Sequence, residues 1–434
     1  MTTVLKNPWW VVFASVVGLL VGNGPIMQFT FGVLLTPVSR EFGWSRGTVS
    51  SALVAGLWTT GIATPVIGRL VDRFGIRVVA MPAIVVFSLA TASVSLIPAS
   101  PAAFTALYAL MGLAAAGQTP LVYAKAISTR FDEKRGLALG VAMAGVGLGA
   151  ALVPQFTQAL IRFGGWRAAY VGLGILTLLL ALPAVAVVGG RTLPPPTGAR
   201  GHGTVEPRRT HGLTVREALR ARTFWLLAIS FFIVAAACGG TVAHLVPFLI
   251  DRGITPTAAT DVLTTIGIAL IGGRLLAGYL LDRIFAPYIA MAFFLAPVLG
   301  IASLLAASRP ISAAIGTVLV GLGLGAEVDL IAFLLSRYLG MRSFGEIYGY
   351  LFGVFMLGTG LGPFAMGVSF DYTGSYELIF VCFGVALILA SILMLRLGPY
   401  AFPSIHVTGS NIAAAAPPNS GLSGAKIKTS LDEP

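Results

Sequence analysis

Apolar stretches of about 20 residues recur along nearly the whole chain, each long enough to cross a bilayer core of about 30 Å as a helix. They fall near 9–36, 48–67, 78–97, 102–126, 136–160, 168–189, 224–248, 258–281, 287–307, 312–334, 344–368 and 378–396. In hydrocarbon a backbone must satisfy its own polar groups, so runs of this length become helices. The expected fold class is an all-α polytopic membrane protein with twelve transmembrane helices. Composition agrees: of 434 residues, 56% are hydrophobic and only 10% charged, more apolar material than a soluble domain buries. The first stretch, from Trp9, is too long for a signal-peptide core and lacks a small-residue cleavage site, so it reads as the first span. Cys238 and Cys382 both fall inside apolar segments, where they pack and build no disulfide framework.

The chain divides into two halves of six spans, 1–189 and 223–396. Between them lies 190–222, rich in Pro and Arg, whose end "LTVREALRAR" has the charge spacing of a short interfacial helix. The tail, 397–434, is rich in Ala, Pro and Ser and reads as disordered. With both termini cytoplasmic, most of the 28 lysines and arginines fall on the cytoplasmic side, and Lys125 and Arg274 fall within spans. Inner-leaflet electrostatics then account for the net charge of +12. No basic arm with interleaved aromatics argues for nucleic acid as a partner. The expected location is the cell membrane, the inner one in a Gram-negative source, with the bilayer as partner and a monomer as the working unit.

The halves echo each other. "GRLVDRFGIR" at 68–77 follows the second span and "GYLLDR" at 278–283 the eighth; "GVGLG" at 145–149 is matched by "GTGLG" at 358–362. Two six-helix repeats are the usual build of secondary transporters, with the substrate site near midplane between them. "GRLVDRFGIR" resembles the signature loop of the major facilitator superfamily, G-x-L-x-D-R-x-G-x-R. The resemblance extends over the twelve-helix plan and implies a latch made when the transporter is closed to the cytoplasm. Its members would be Gly68, Asp72, Arg73, Arg77 and, in the next loop on that side, Arg135.

Three further stretches narrow the branch. "FGVLLTPVSREFGWSR", "RFDEKRGLALGVAMAG" and "GLGLGAEVDLIAFLLSRYLG" are similar to the monocarboxylate porter and oxalate/formate antiporter group. In monocarboxylate transporters an arginine on the eighth helix anchors the substrate, and Arg274 resembles it in position. Two elements are missing: "NPWWVVFAS" stands where animal members open the first helix with an acidic-Gly-Gly-aromatic signature, and Leu270 stands where an aspartate one turn before that arginine would be, so direct proton exchange on the eighth helix is not expected.

Arg274 is eight residues, or about 12 Å, from Asp282 at the helix end. A guanidinium at that depth needs water or a counter-ion. It faces a cavity and grips a substrate carboxylate through two parallel hydrogen bonds, or forms a structural salt bridge with an acid of the tenth span, or snorkels toward the cytoplasm. Glu327 and Asp329 are those acids. Two residues apart on a helix they point about 200° from each other, so one is available to bind a coupled proton while the other braces helices. His244, just before Pro247, is a proton-responsive candidate near the mouth. Asn23 and Tyr123 are neutral candidates for hydrogen bonds to substrate.

No metal cluster, nucleophile elbow or cofactor motif stands in the sequence, so no enzyme and no cofactor are expected. The favoured reading is proton-coupled uptake of a small organic carboxylate by alternating access, including acids from aromatic catabolism. An organic-anion exchanger and a proton-coupled drug or metabolite efflux pump stay open as alternatives.

Overall fold

The computed structural model describes residues 7–128, 130–131, 135–189, 212–281, 283–307, 309–340 and 342–402, with Asp72 and Arg135 placed as helix backbone only. The linker 190–211 and the tail from 403 onward, for which a loop and disorder are expected, lie outside the described residues.

Regular structure among the described residues is helical, apart from one isolated bridge between Gly212 and Gly340. Eleven stretches are long and apolar enough to cross a membrane. One of them, Leu137–Val188, is 52 residues, about 78 Å of helix, enough to cross twice. It turns at Gly164 and Gly165, the latter at φ +74°, a value side-chain-bearing residues avoid. Counted as two, these helices bring the spans to twelve.

The first span is not one smooth helix. Trp9–Leu20 passes through a π-helical turn, Gly24–Phe29, into Phe31–Phe42. The second, Arg46–Phe74, starts with the Ser45 side chain accepting the Thr48 N–H; the third is Ile76–Ser93. The fourth is split by a tight turn at Ala116–Gln118 into Pro101–Ala115 and Pro120–Ser128, each opened by a proline whose missing N–H costs nothing there. Spans five and six form Arg135–Val188. The second half runs Arg222–Asp251, Pro256–Leu281, Ala286–Ala306, Pro310–Tyr338, Phe344–Thr373 and Glu377–Leu395, spans seven to twelve.

The short helix expected before span seven is present over Val215–Arg220, closed at its start by a reciprocal pairing of Thr214 and Glu217. It is shorter than its charge pattern suggests because Ala221 is extended. The Leu213 N–H donates to the Leu339 carbonyl at 2.9 Å, pinning this segment to the end of span ten.

Each half has its own core, around Ile84, Phe87 and Leu173 in the first and Phe231, Phe294 and Leu330 in the second. The halves meet mainly through span two on span eleven and span five on span eight. The second crossing depends on small residues: a Cβ on Gly267 would fall 2.6 Å from the Gly147 carbonyl oxygen. The end of the bundle that carries the connection between spans six and seven is termed the loop end, and the opposite one the far end.

Candidate functional site

Arg274 and Asp329 face each other between spans eight and ten, with Nε 3.1 Å from Oδ2. Their approach is set by backbone packing. A Cβ on Gly325 would lie 2.3 Å from the Leu270 carbonyl oxygen, so only glycine lets span ten run this close to span eight, and Asp329 follows one turn later. The pair is unevenly covered: the arginine side chain is 16% exposed and the carboxylate 39%, so an ion reaching Asp329 reaches the pair. Although the charges are close, the Nε and Nη1 hydrogens are not aimed at an acceptor, and both atoms are buried without a hydrogen-bond partner. The arginine therefore has donors left over.

Glu327 takes the opposite side of span ten, as the 200° spacing requires. It is fully buried, and neither carboxyl oxygen has a hydrogen-bond partner. The thiol of Cys238 on span seven lies beside it without meeting hydrogen-bond geometry.

The neutral candidates sit in the first half. Tyr123 is buried with its hydroxyl unpartnered, lying over Gly18, where a Cβ would come within 2.3 Å of that oxygen. Asn23 is half-buried just before the π-helical turn, its Oδ1 also without a partner. Both are buried polar atoms with spare capacity, and neither is hydrogen-bonded to Arg274 or Asp329.

His244, toward the end of span seven where the sequence puts it, is fully buried in a network that closes the far end. Its Nε2 is 3.0 Å from Ser50 Oγ and 2.9 Å from the Pro363 carbonyl oxygen; its Nδ1 is 2.9 Å from Tyr376 Oη. A carbonyl only accepts, so Nε2 carries the hydrogen and Nδ1 accepts from the tyrosine. Tyr376 Oη in turn accepts from Arg46 Nη1, and Arg46 grips Asp251 through two bonds of 2.6 and 2.8 Å. Asp371, from span eleven, accepts the N–H groups of Arg46 and Gly47 at 3.0 and 2.8 Å, capping the first turn of span two from the other half. The Arg46 guanidinium lies 3.8 Å from the centre of the Phe370 ring. A second far-end tie runs from Gln155 of span five to Asp261 and Thr264 of span eight, each 2.9 Å.

Sequence reasoning did not single out Arg46, Asp251, Asp371 or Tyr376, because each stands at a span end where topogenic and capping charges are ordinary.

The proposed latch residues lie at the loop end of the first half. Gly68 is half-buried in span two. Arg73 is exposed beside the Phe74 ring, and the Arg77 side chain donates to the Ala186 carbonyl of span six, a bond within its own half. The side chains of Asp72 and Arg135 lie outside the described residues. No group of three metal-ligating side chains occurs among the described residues.

A sequence model described as Major Facilitator Superfamily matches residues 17–363. The chain is 28% identical over 409 residues to an uncharacterized MFS-type transporter, YcxA, of Bacillus subtilis, covering 87% of this chain and 92% of that one. It is 28% identical to human monocarboxylate transporter 11, covering 91% and 84% of the two chains, and 26% identical to the oxalate:formate antiporter of Oxalobacter formigenes, covering 92% and 94%. Among solved structures, a bacterial homolog of the human lysosomal transporter Spinster, in an inward-facing and occupied conformation, superposes with a TM-score of 0.66 at 17% identity, covering 90% and 96%. Twelve spans in two halves, a charged pair between spans eight and ten, and a family match over most of the length make this chain a transporter of the major facilitator superfamily.

Proposed function

We propose that this transporter moves a small organic carboxylate across the cytoplasmic membrane by alternating access, with Arg274 as the anion anchor. The observation that carries this reading is the arginine's unused capacity: two buried N–H donors without acceptors, beside a partly exposed aspartate. A carboxylate entering through the exposed side of the pair can accept from the guanidinium, in a fork that joins Nη2 with either Nε or Nη1, and displace Asp329. The similarity to a monocarboxylate transporter and an oxalate:formate antiporter supports the same substrate class.

Proton coupling follows from the two acids. Asp329 gives up its counter-ion when substrate binds, and a carboxylate left alone in a half-buried site gains from taking a proton. Glu327 is enclosed with no hydrogen-bond partner for either oxygen, which makes it the other candidate for the coupled proton. Asn23 and Tyr123 are the polar groups with which the first half meets the substrate once the halves close on it. His244 acts in the far-end closure. With both termini cytoplasmic, as the distribution of lysine and arginine favours, the closed far end faces outward and this is an inward-facing state. The residues at 68–77 and Arg135 are then an open latch. Working as a monomer, and in the inner membrane of a Gram-negative source, the transporter would bring in acids including intermediates of aromatic catabolism.

The test is uptake by vesicles reconstituted with purified protein, over a panel of labelled carboxylates with and without a pH gradient. Accumulation that follows the gradient supports symport. Exchange that needs a second acid on the far side, and ignores the gradient, makes it an anion exchanger. Failure to move any carboxylate removes the reading.

A further inference from the structure

At the far end the Arg46 side chain of the first half is held by groups of the second. Its guanidinium meets Asp251 in a two-bond fork of 2.6 and 2.8 Å, donates to Tyr376 Oη, and rests its flat face 3.8 Å from the centre of the Phe370 ring. The arginine side chain is 13% exposed and that of Asp251 34%, so the acid lies on the solvent side. The walls of this socket have supports within their own half. Tyr376 is buried, with its hydroxyl bonded to His244 Nδ1 at 2.9 Å and its ring 4.8 Å from Phe370 and 6.0 Å from Phe248. Asp251 is the last residue of span seven, and Asp371 lies in the last turn of span eleven. Two helix carbonyl ends, each a negative pole, and two carboxylates thus come together on Arg46, and such a place favours a cation.

We propose that this socket is a binding site for a free guanidinium-bearing cation, which on replacing Arg46 holds the far end open. Arg46 is a tethered example of the ligand, and its contacts give the recognition rule. A fork to a carboxylate and a flat face on a ring suit a planar guanidinium; an ammonium, compact and strongly hydrated, matches neither. Arg46 fills the socket while span two lies on span eleven. Under the proposed alternating access it leaves with span two when the far end opens, and Asp251, Asp371, Phe370 and Tyr376 stay with the second half. A cation seated among them then bars the arginine's return. The inference uses the far-end closure and is independent of the reading of Arg274 as carboxylate anchor.

The probe is methylguanidinium, with methylammonium at equal ionic strength as its control, titrated calorimetrically into the purified protein. In Arg46→Ala, where the socket has lost its tethered occupant, methylguanidinium is expected to bind at least about tenfold more tightly than it does to wild type, and at least about tenfold more tightly than methylammonium. Adding Asp251→Asn to Arg46→Ala should abolish that binding. Arg46→Gln, which keeps more of the packing, repeats the test should the alanine protein fold poorly. In wild type, spin labels on Arg162→Cys and Arg309→Cys, with Cys382 replaced by serine, should report a larger far-end-open fraction with methylguanidinium than with methylammonium. Equal binding of the two cations by the Arg46 variants, or binding that survives Asp251→Asn, overturns the site. Identical far-end distances in wild type with either cation overturn its competition with Arg46. Each of these results leaves the carboxylate reading of Arg274 standing.

Discussion

The same face of span eleven has opposite surroundings at its two ends. Toward the far end it lies on span two: Met356 meets Gly61, Gly360 meets Trp58, a Cβ on Gly367 would fall 2.8 Å from the Arg46 carbonyl oxygen, and Asp371 caps span two. Toward the loop end, the residues that continue this face at helical spacing are Gly345, Gly349 and Gly353, and a Cβ on any of them would touch nothing. A glycine in a tight crossing is explained by the crossing. A row of glycines facing open space has no such crossing here, and under the proposed alternating access it is where span two would pack in the other state. On that proposal the two ends of span eleven would close in turn.

The largest expected effect lies at the Arg274–Asp329 pair. Arg274→Ala should weaken carboxylate binding by about 2–5 kcal/mol, some thirtyfold to several-thousandfold, while Arg274→Lys, which keeps the charge but loses the fork, recovers only part. Binding to purified, stably folded Arg274→Ala at wild-type affinity would reduce the pair to a brace between spans eight and ten.

Breaking the closed end comes next. Arg46→Ala or Asp371→Asn removes charge-assisted hydrogen bonds worth about 1.5–3 kcal/mol, so the ratio of far-end-open to far-end-closed molecules should rise about tenfold to 150-fold. Spin labels on Arg162→Cys and Arg309→Cys, with Cys382 replaced by serine, read the far-end separation. An unchanged distance distribution would mean that the network decorates the closure without holding it.

A paired substitution on the two ends of span eleven sharpens the contrast. Gly367→Ala pushes a methyl into span two and should cost the far-end-closed state about 1–3 kcal/mol. Gly349→Leu has room in this state and should change thermal stability by less than about 0.5 kcal/mol, yet cut transport at least about tenfold by blocking the loop-end crossing. Full transport by Gly349→Leu would show that span two never returns to that stripe.

The smallest effect concerns the far-end surface, where Glu41 binds Arg167 and Trp166. These hydrogen bonds hold its carboxyl below the usual carboxylate range. A lowered folded-state pKa gives stability above the unfolded value of about 4.3, lost as pH falls through the folded value. The site is open to solvent, so the contribution is at most about 1 kcal/mol. Wild type should therefore melt slightly above Glu41→Gln at pH 7, with the gap closing below about pH 4.

How much of this was legible in the sequence depends on the range of each interaction. Spans are local, so twelve of them were readable from apolar runs, and the 200° between Glu327 and Asp329 was readable from helix geometry. The π-helical turn after Asn23 and the joint at Gly164–Gly165 were not, since both depend on how neighbouring helices pack. The absent aspartate at Leu270 argued only against proton exchange on span eight, and an acid of span ten was one of the partners the sequence offered Arg274, without saying which. In the fold that acid is Asp329, a pairing that no spacing rule within one span can show. The far-end network escaped for the same reason: Arg46, Asp251 and Asp371 are far apart in the chain, and each looks like an ordinary charge at a helix end.

Gly325 has a consequence for how such transporters change over generations. By bringing the backbones of spans eight and ten into contact, it sets Asp329 3.1 Å from a guanidinium whose own helix carries position 270 one turn earlier. An acid at either address serves the same arginine. Two single replacements, Leu270→Asp and then Asp329→Leu, lead from this arrangement to one with the acid on span eight, through an intermediate that holds both acids and never leaves the arginine alone. The charge can thus pass between helices without leaving the arginine unpaired.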